Sequence, residues 1–450
     1  MDKNKRQIDM LHGPLASKLI FFALPLALSS ILQQLFNSAD VAVVGRYAGS
    51  DALAAVGANV ANVGIFVNFL VGASIGPNVI IAMLIGQGYK DEVKKAVDAV
   101  IGLATISGIV LMLIGHIITH PLLVATHTPD EVIKAAEIYF RIYISGLPFI
   151  VIYNFGSAIL RSIGDTKRPL YIMIVSGILN VILNLFFVIV CNMSVSGVAL
   201  ATLISNAFSA IMIIILLVKE DSMIKLDFKT FKFESHYAIK VIKVGVPAGL
   251  QSMVFSLSNI FIQSGINSFG ANTIAASSVA LNFEYFTYDI SSAFAQAAVT
   301  FTSQNFGAMN IKRCRRIYYL TMLEGMLFTA ALSTVFTIWA RPFAALYTKE
   351  GAVIDIALIR MYHVMMLEAL TVTYEVSAAS IRSIGYQLTP AMLTVLGTVC
   401  LRILWLYTVF KKHHTFEMLM NVYPVSWIFT GIVLISAYFI LWNRKIKELS

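Results

Sequence analysis

Residues 219–240 read KEDSMIKLDFKTFKFESHYAIK, the longest polar run in a chain of 450 residues that is 58% hydrophobic and only 13% charged. A soluble domain carries about 25% charged residues, so a soluble fold is excluded at once. On either side of the run lie stretches such as AVIGLATISGIVLMLIGHIIT (99–119) and VYPVSWIFTGIVLISAYFILW (422–442). Each matches the roughly 20 apolar residues that a bilayer crossing needs. About a dozen such stretches can be found, half before the polar run and half after it. Residues 219–240 therefore read as a cytoplasmic linker between two six-helix halves, 1–218 and 241–450. The expected fold is an all-α polytopic membrane protein of twelve helices, with both termini in the cytoplasm.

If the halves are repeats, motifs must recur at one offset. RSIG at 161–164 returns at 382–385, an offset of 221. At the same offset Pro169 meets Pro390, Tyr153 meets Tyr374, Gly49 meets Gly270, and LAA (53–55) meets IAA (274–276). Pro25 and Asn37 meet Pro247 and Asn259 at 222. Six crossings per half bring the second half into the membrane from the same side, so the repeats are parallel. Transporter halves often have this relation, with substrate between them.

The net charge of +9 is not a nucleic-acid footprint. With a cytoplasmic N-terminus, inside segments hold Lys3, Lys5, Arg6, Lys18, Lys90, Lys94, Lys95, Arg161, Lys167, Arg168, the basic residues of 219–243, Lys312, Arg313, Arg315, Arg316, Arg382, Arg444, Lys445 and Lys447. Outside segments hold Arg46, Arg341, Lys349, Lys411 and Lys412. This is the positive-inside asymmetry. The three cysteines are scattered with no metal spacing. The polar N-terminus lacks the pattern of a cleaved signal, so Leu15 onward is expected to be a retained first helix. The eight histidines, His127 among them, fall mostly near helix ends and form no HExxH pattern.

Asp40, in LFNSADVAVVGR (35–46), is a carboxylate in a stretch otherwise suited to lipid. An ionisable group there costs about 2.5–3.5 kcal/mol on insertion scales and marks a functional position by default. It lies about 9 Å by helical rise below the outer boundary at Arg46. Asn184 lies about 12 Å below the outer end of the fifth helix, and Thr202 about 10 Å into the sixth. Asn180 sits one turn from Asn184 on the same face. These oxygens could ligate a hard monovalent cation, hydrogen-bond a protonated acid, or lock the bundle as a buried polar network.

The second half departs from this pattern. Ile262 stands at the position of Asp40, and Leu401 and Trp405 stand at those of the asparagines. It carries instead Glu284, Asp289, Glu324, Glu368, Glu375 and Arg402. A buried Arg402 needs a partner, and Glu284 and Glu368 are the expected ones. The rival reading is an acidic cavity that attracts cations, with aromatic help from NFEYFTY (282–288). Residues expected to line a substrate cavity are Gln34, Asn37, Tyr153, Asn154, Glu284, Tyr285, Glu368 and Arg402.

LPLALSSILQQLFNSADVAVVGRYAGSDALAAVG (24–57), AILRSIGDTKRPL (158–170), NVILNLFFV (180–188), VSGVALATLIS (195–205) and FTSQNFGAMN (301–310) resemble bacterial multidrug and toxic compound extrusion (MATE) transporters, of the MOP flippase superfamily, over nearly the whole chain. The resemblance implies two six-helix bundles about a V-shaped cleft. It also implies export of amphipathic, often cationic compounds in exchange for Na⁺ or H⁺, by a carrier in the bacterial cytoplasmic membrane. Asp40, Asn180, Asn184 and Thr202 match the N-lobe cation site of the family, where Na⁺ is one candidate ion, and Pro25 matches the proline at which the first helix bends. Asn184 stands where some members carry a second aspartate. The C-lobe cation site of another branch falls on Phe255 and Thr371 and is expected to be absent, with Glu368 one turn from Thr371.

The expected partners are small molecules and lipid, with no nucleic acid, no cofactor beyond the coupling ion, and a monomeric state. A flippase for lipid-linked saccharides is the alternative transporter. It is disfavoured by twelve helices and by the want of an intramembrane arginine cluster. No enzyme motif such as HExxH, GxSxG or HxxxxD is found.

Overall fold

The computed structural model describes residues 7–126 and 128–449. The basic residues Lys3, Lys5 and Arg6, and His127, lie outside that range. Among the described residues the chain forms helices and no strands. Twelve rods follow one another. They are α1 (Leu15–Tyr47), α2 (Ser50–Ala73 with Ile75–Gln87), α3 (Lys90–Ala125), α4 (Asp130–Ser145 with Leu147–Ser162), α5 (Lys167–Leu185, ending in a π turn Phe186–Val190) and α6 (Val195–Val218). Then come α7 (Ser235–Asn267), α8 (Ala271–Gly307), α9 (Ile311–Ile338), α10 (Gly351–Val364, Met365–Leu370 and Thr371–Ser383), α11 (Leu388–Phe410) and α12 (Phe416–Met420 with Val422–Leu449). In lipid every backbone polar group must be satisfied internally, so long apolar runs have little choice but helix.

Nine of the described rods are long and apolar enough to cross a membrane, and the two pieces of α4, bent by 41°, make a tenth. The remaining two, α8 and α10, carry Glu284, Asp289, Arg360, Glu368 and Glu375. Their charges lower their hydropathy, and the bundle holds several of them by mutual bonds described below.

Packing gathers the chain into two units. One comprises Leu28–Gly249 with Gln7 and Ile8, the other Asp9–Ala27 with residues 250–449. Set against the expected boundaries at 218 and 241, two segments change sides. The start of α1 belongs with the second unit, and the start of α7 with the first. Each change falls just after a helix proline, Pro25 in α1 and Pro247 in α7.

The repeat is visible in the backbone. Gly49 and Gly270, before α2 and α8, both have φ of 89°. The RSIG turns end on Gly164 at 86° and Gly385 at 104°, with each glycine N–H bonded to its arginine's carbonyl at 2.9 and 3.1 Å. This left-handed region is costly for any residue with a Cβ.

The core of the first unit is built from α3, α4 and α6, with Val97, Val100, Phe140, Leu147, Ile159 and Ile213 buried. Small residues set the helix separations, as is usual in lipid. A Cβ on Gly108 would lie 2.6 Å from Pro148 Cα, and one on Gly156 would lie 2.8 Å from Ile213. The contact that matters most for the site is Gly177 on α5, whose missing Cβ would stand 2.0 Å from the Phe36 ring on α1.

Candidate cation and substrate site

Phe36 seated on Gly177 sets the register of α1 against α5. Asp40 follows Phe36 by four residues and Asn180 and Asn184 follow Gly177 by three and seven, so all face the same seam. Asn184 Nδ2 donates to Asp40 Oδ1 and also, at 3.3 Å, to Asn180 Oδ1. Asn180 Nδ2 donates to Thr202 Oγ1 on α6 at 3.4 Å, and that hydroxyl donates to the Val198 carbonyl at 3.1 Å. The four residues proposed from sequence thus form one connected chain, in which Asn184 donates outward both to the carboxylate on α1 and, through Asn180, toward Thr202 on α6.

Asn184 is fully buried, Asn180 nearly so, and Asp40 and Thr202 are half-buried. No basic side chain pairs with Asp40 among the described residues; its bond comes from Asn184 alone. One buried oxygen, Asn184 Oδ1, has no partner. The donor set is a carboxylate, two amides and a hydroxyl, and no group of three His, Cys, Asp or Glu residues occurs among the described residues. Such oxygens suit an alkali ion or a proton, not a transition metal. With its amide as placed, Asn184 turns its N–H toward Asp40. Turning that amide over would bring the orphan oxygen toward a cation held by the carboxylate. Tyr139 and Tyr143 on α4 are half-buried and stack with ring centroids 6.3 Å apart, and Tyr139 packs against the apolar cluster that holds Val43 and Val44 of α1. Sequence reading passed over them; their i, i+4 spacing in IYFRIYIS was the available signal.

The cavity candidates fare differently. Gln34 and Asn37 lie on α1 before Asp40, the first half-buried and the second exposed. Tyr153 is spent on the Pro169 carbonyl at 3.1 Å, and Asn154 on its own helix at Ile150. Tyr285 is 41% exposed on α8.

Glu284, Glu368 and Arg402 are buried, but the expected pairing is not the one that forms. Glu284 receives two bonds from Arg360 on α10, at 2.6 and 2.8 Å. Glu368, in the 3₁₀ segment of α10, accepts from the Thr287 hydroxyl. Arg402 donates to Asn259 Oδ1 at 3.1 Å and Ser426 Oγ at 3.3 Å. The reason is position: Arg360 sits two turns before Glu368 on α10 and reaches Glu284 first, with the fork geometry that favours bidentate carboxylate pairing. Arg360 was missed because it lies in a rod too polar to stand out. Its signal was a lone cation in IALIRMYHV. Arg360 and Arg402 flank the Tyr423 ring at 5.5 and 4.7 Å.

The MatE family model matches residues 25–186 and again 247–408, once per repeat. The Bacillus subtilis protein named "Probable multidrug resistance protein YoeA" is 24% identical over 435 residues, covering 94% of this chain and 93% of its own. The Staphylococcus aureus "Multidrug export protein MepA" is 23% identical over 349 residues, covering 77% and 76%. A crystallised MATE protein in complex with MaL6 superposes with a TM-score of 0.91 at 21% identity, covering 97% of this chain and 98% of its own.

Proposed function

This chain belongs to the MatE family, and from that premise we propose that it exports small amphipathic, often cationic compounds in exchange for Na⁺ or H⁺ by alternating access. It is a multi-pass protein of the bacterial cytoplasmic membrane. The observation that carries the coupling is the chain Thr202–Asn180–Asn184–Asp40, which ends on a carboxylate without a basic partner among the described residues.

A carboxylate so placed gains by taking up a cation or a proton, since a charge in lipid is costly. The ion shifts a two-state carrier only by its difference in affinity between the two states. Exchange requires that ion and exported compound disfavour one another's binding, and this coupling is reciprocal. Asn184 donates to Asp40 and fixes the place of its carboxyl oxygen. Asn180 and Thr202 hold Asn184 in turn.

The test is efflux of a cationic dye from proteoliposomes under an imposed Na⁺ or pH gradient. Asp40→Asn is expected to abolish gradient-driven efflux at unchanged expression, and the gradient that drives the wild type names the ion. Undiminished efflux in Asp40→Asn would overturn the assignment.

A further inference from the structure

The second unit holds a buried cation with no counter-charge. Arg402 is 0% exposed. Its Nη1 and Nε donate to the neutral oxygens of Asn259 and Ser426, and its Nη2 has no partner. No carboxylate pairs with it among the described residues, and three acids of the same unit are engaged elsewhere. Glu284 is bound to Arg360, Glu368 to Thr287, and Glu375 to Tyr288. The faces of Phe255 and Tyr423, at 5.0 and 4.7 Å, soften the burial but do not supply a negative charge. An uncompensated buried ion is strongly unfavourable.

Its place in the repeat is informative. Arg402 joins α11 to α7, and these are the counterparts of α5 and α1, the pair that Asn184 and Asp40 join in the first unit. Tyr423, which covers the guanidinium, stands 221 residues after Thr202, a member of the first unit's chain. The same seam therefore carries a carboxylate in one unit and a guanidinium in the other. The backbone is adapted around it. The single α turn Leu401–Trp405 is bracketed by π-helical segments, Val395–Cys400 and Leu406–Phe410. Such bulges gather at functional positions.

We propose that Arg402 anchors a binding site for an oxyanion carried on an apolar body, a carboxylate or a phosphate monoester. The planar fork presents its unpartnered Nη2 beside Nη1, the edge that takes an oxyanion through two parallel bonds. Asn259 and Phe255 on α7, which touch the guanidinium, and Tyr288 on α8, which stacks on Phe255, are all only half-buried. Phe255 and Tyr288 stack at 6.4 Å, and Trp427 lies 5.9 Å from Tyr423. These rings suit an alkyl or aromatic body. The site stands whatever the direction or ion of transport.

The test is binding of dodecanoate, against dodecylammonium of equal length, to the full-length protein in nanodiscs, read by tryptophan fluorescence. Arg402→Gln is expected to weaken dodecanoate binding at least tenfold and leave dodecylammonium unchanged, with Arg402→Lys intermediate. Asn259→Asp keeps the arginine and gives it an internal carboxylate. It should abolish dodecanoate binding and raise the melting temperature. Nanodiscs of phosphatidylcholine alone and with phosphatidylglycerol separate the sources. If an anionic lipid headgroup is the occupant, phosphatidylglycerol will compete with dodecanoate in the wild type and not in Arg402→Gln. Equal dodecanoate binding by wild type, Arg402→Gln and Asn259→Asp would overturn the proposal. The readout is binding, so a failure of ion-driven export in Asp40→Asn bears on the coupling reading and leaves this one standing.

Discussion

Two buried cations one ring apart differ in what holds them, and substitution should separate them. Arg360 has its charge answered by both oxygens of Glu284. Glu284→Gln would leave that guanidinium buried and unanswered, at a cost of about 3–5 kcal/mol, whereas replacing both partners by apolar residues of similar volume is often close to neutral. Thermal denaturation should therefore show a large loss for Glu284→Gln and recovery of most of it in Glu284→Leu/Arg360→Met. If the single variant is as stable as wild type, the pair is not what offsets that burial. Pairings of this kind are poorly legible in sequence. Asp40, Asn180 and Asn184 stood out because each is polar in an apolar run and two share a helix face. The partner of Arg402 did not, because it depends on which helices meet, and hydropathy carries nothing about that.

Between helices, the register of α1 on α5 rests on a missing methyl group. Gly177→Ala would gain up to about 1 kcal/mol in helix propensity. It would also push a Cβ into three Phe36 ring atoms at 2.0, 2.2 and 2.4 Å. A whole ring cannot yield as a flexible chain end can, and overpacking costs about 1–3 kcal/mol, so the clash wins. Gly177→Ala is expected to lower the melting temperature and uncouple efflux from the ion gradient, by parting Asp40 from Asn184. Adding Phe36→Ala should restore both. Efflux that stays coupled in the single variant would refute this register as the device that assembles the chain. The rods themselves were legible because lipid demands long apolar helices. α8 and α10 were the least so, since their charges are satisfied only across the bundle.

At the scale of the molecule, the repeats share their tight turns and differ in what surrounds them. Gly164 and Gly385 end the same turn, yet a Cβ on Gly164 would meet the Ile8 backbone at 2.5 Å while one on Gly385 would meet nothing within 4 Å. Gly385→Ala should cost only the left-handed strain, roughly 1–2 kcal/mol. Gly164→Ala should cost more and expose the chain near Ile8 to limited proteolysis. Equal cost and equal proteolysis would mean that this contact contributes nothing. The duplication was readable from a fixed offset between motifs. The division of α1 and α7 between units was not, because a helix's own periodicity does not name the neighbours of its two ends.

That division bears on how such a molecule can be cut. A gene severed in the linker yields two polypeptides, neither of which owns a whole unit. The first lacks the start of α7, and the second lacks the start of α1. Each fragment can complete itself only by borrowing a helix end from the other.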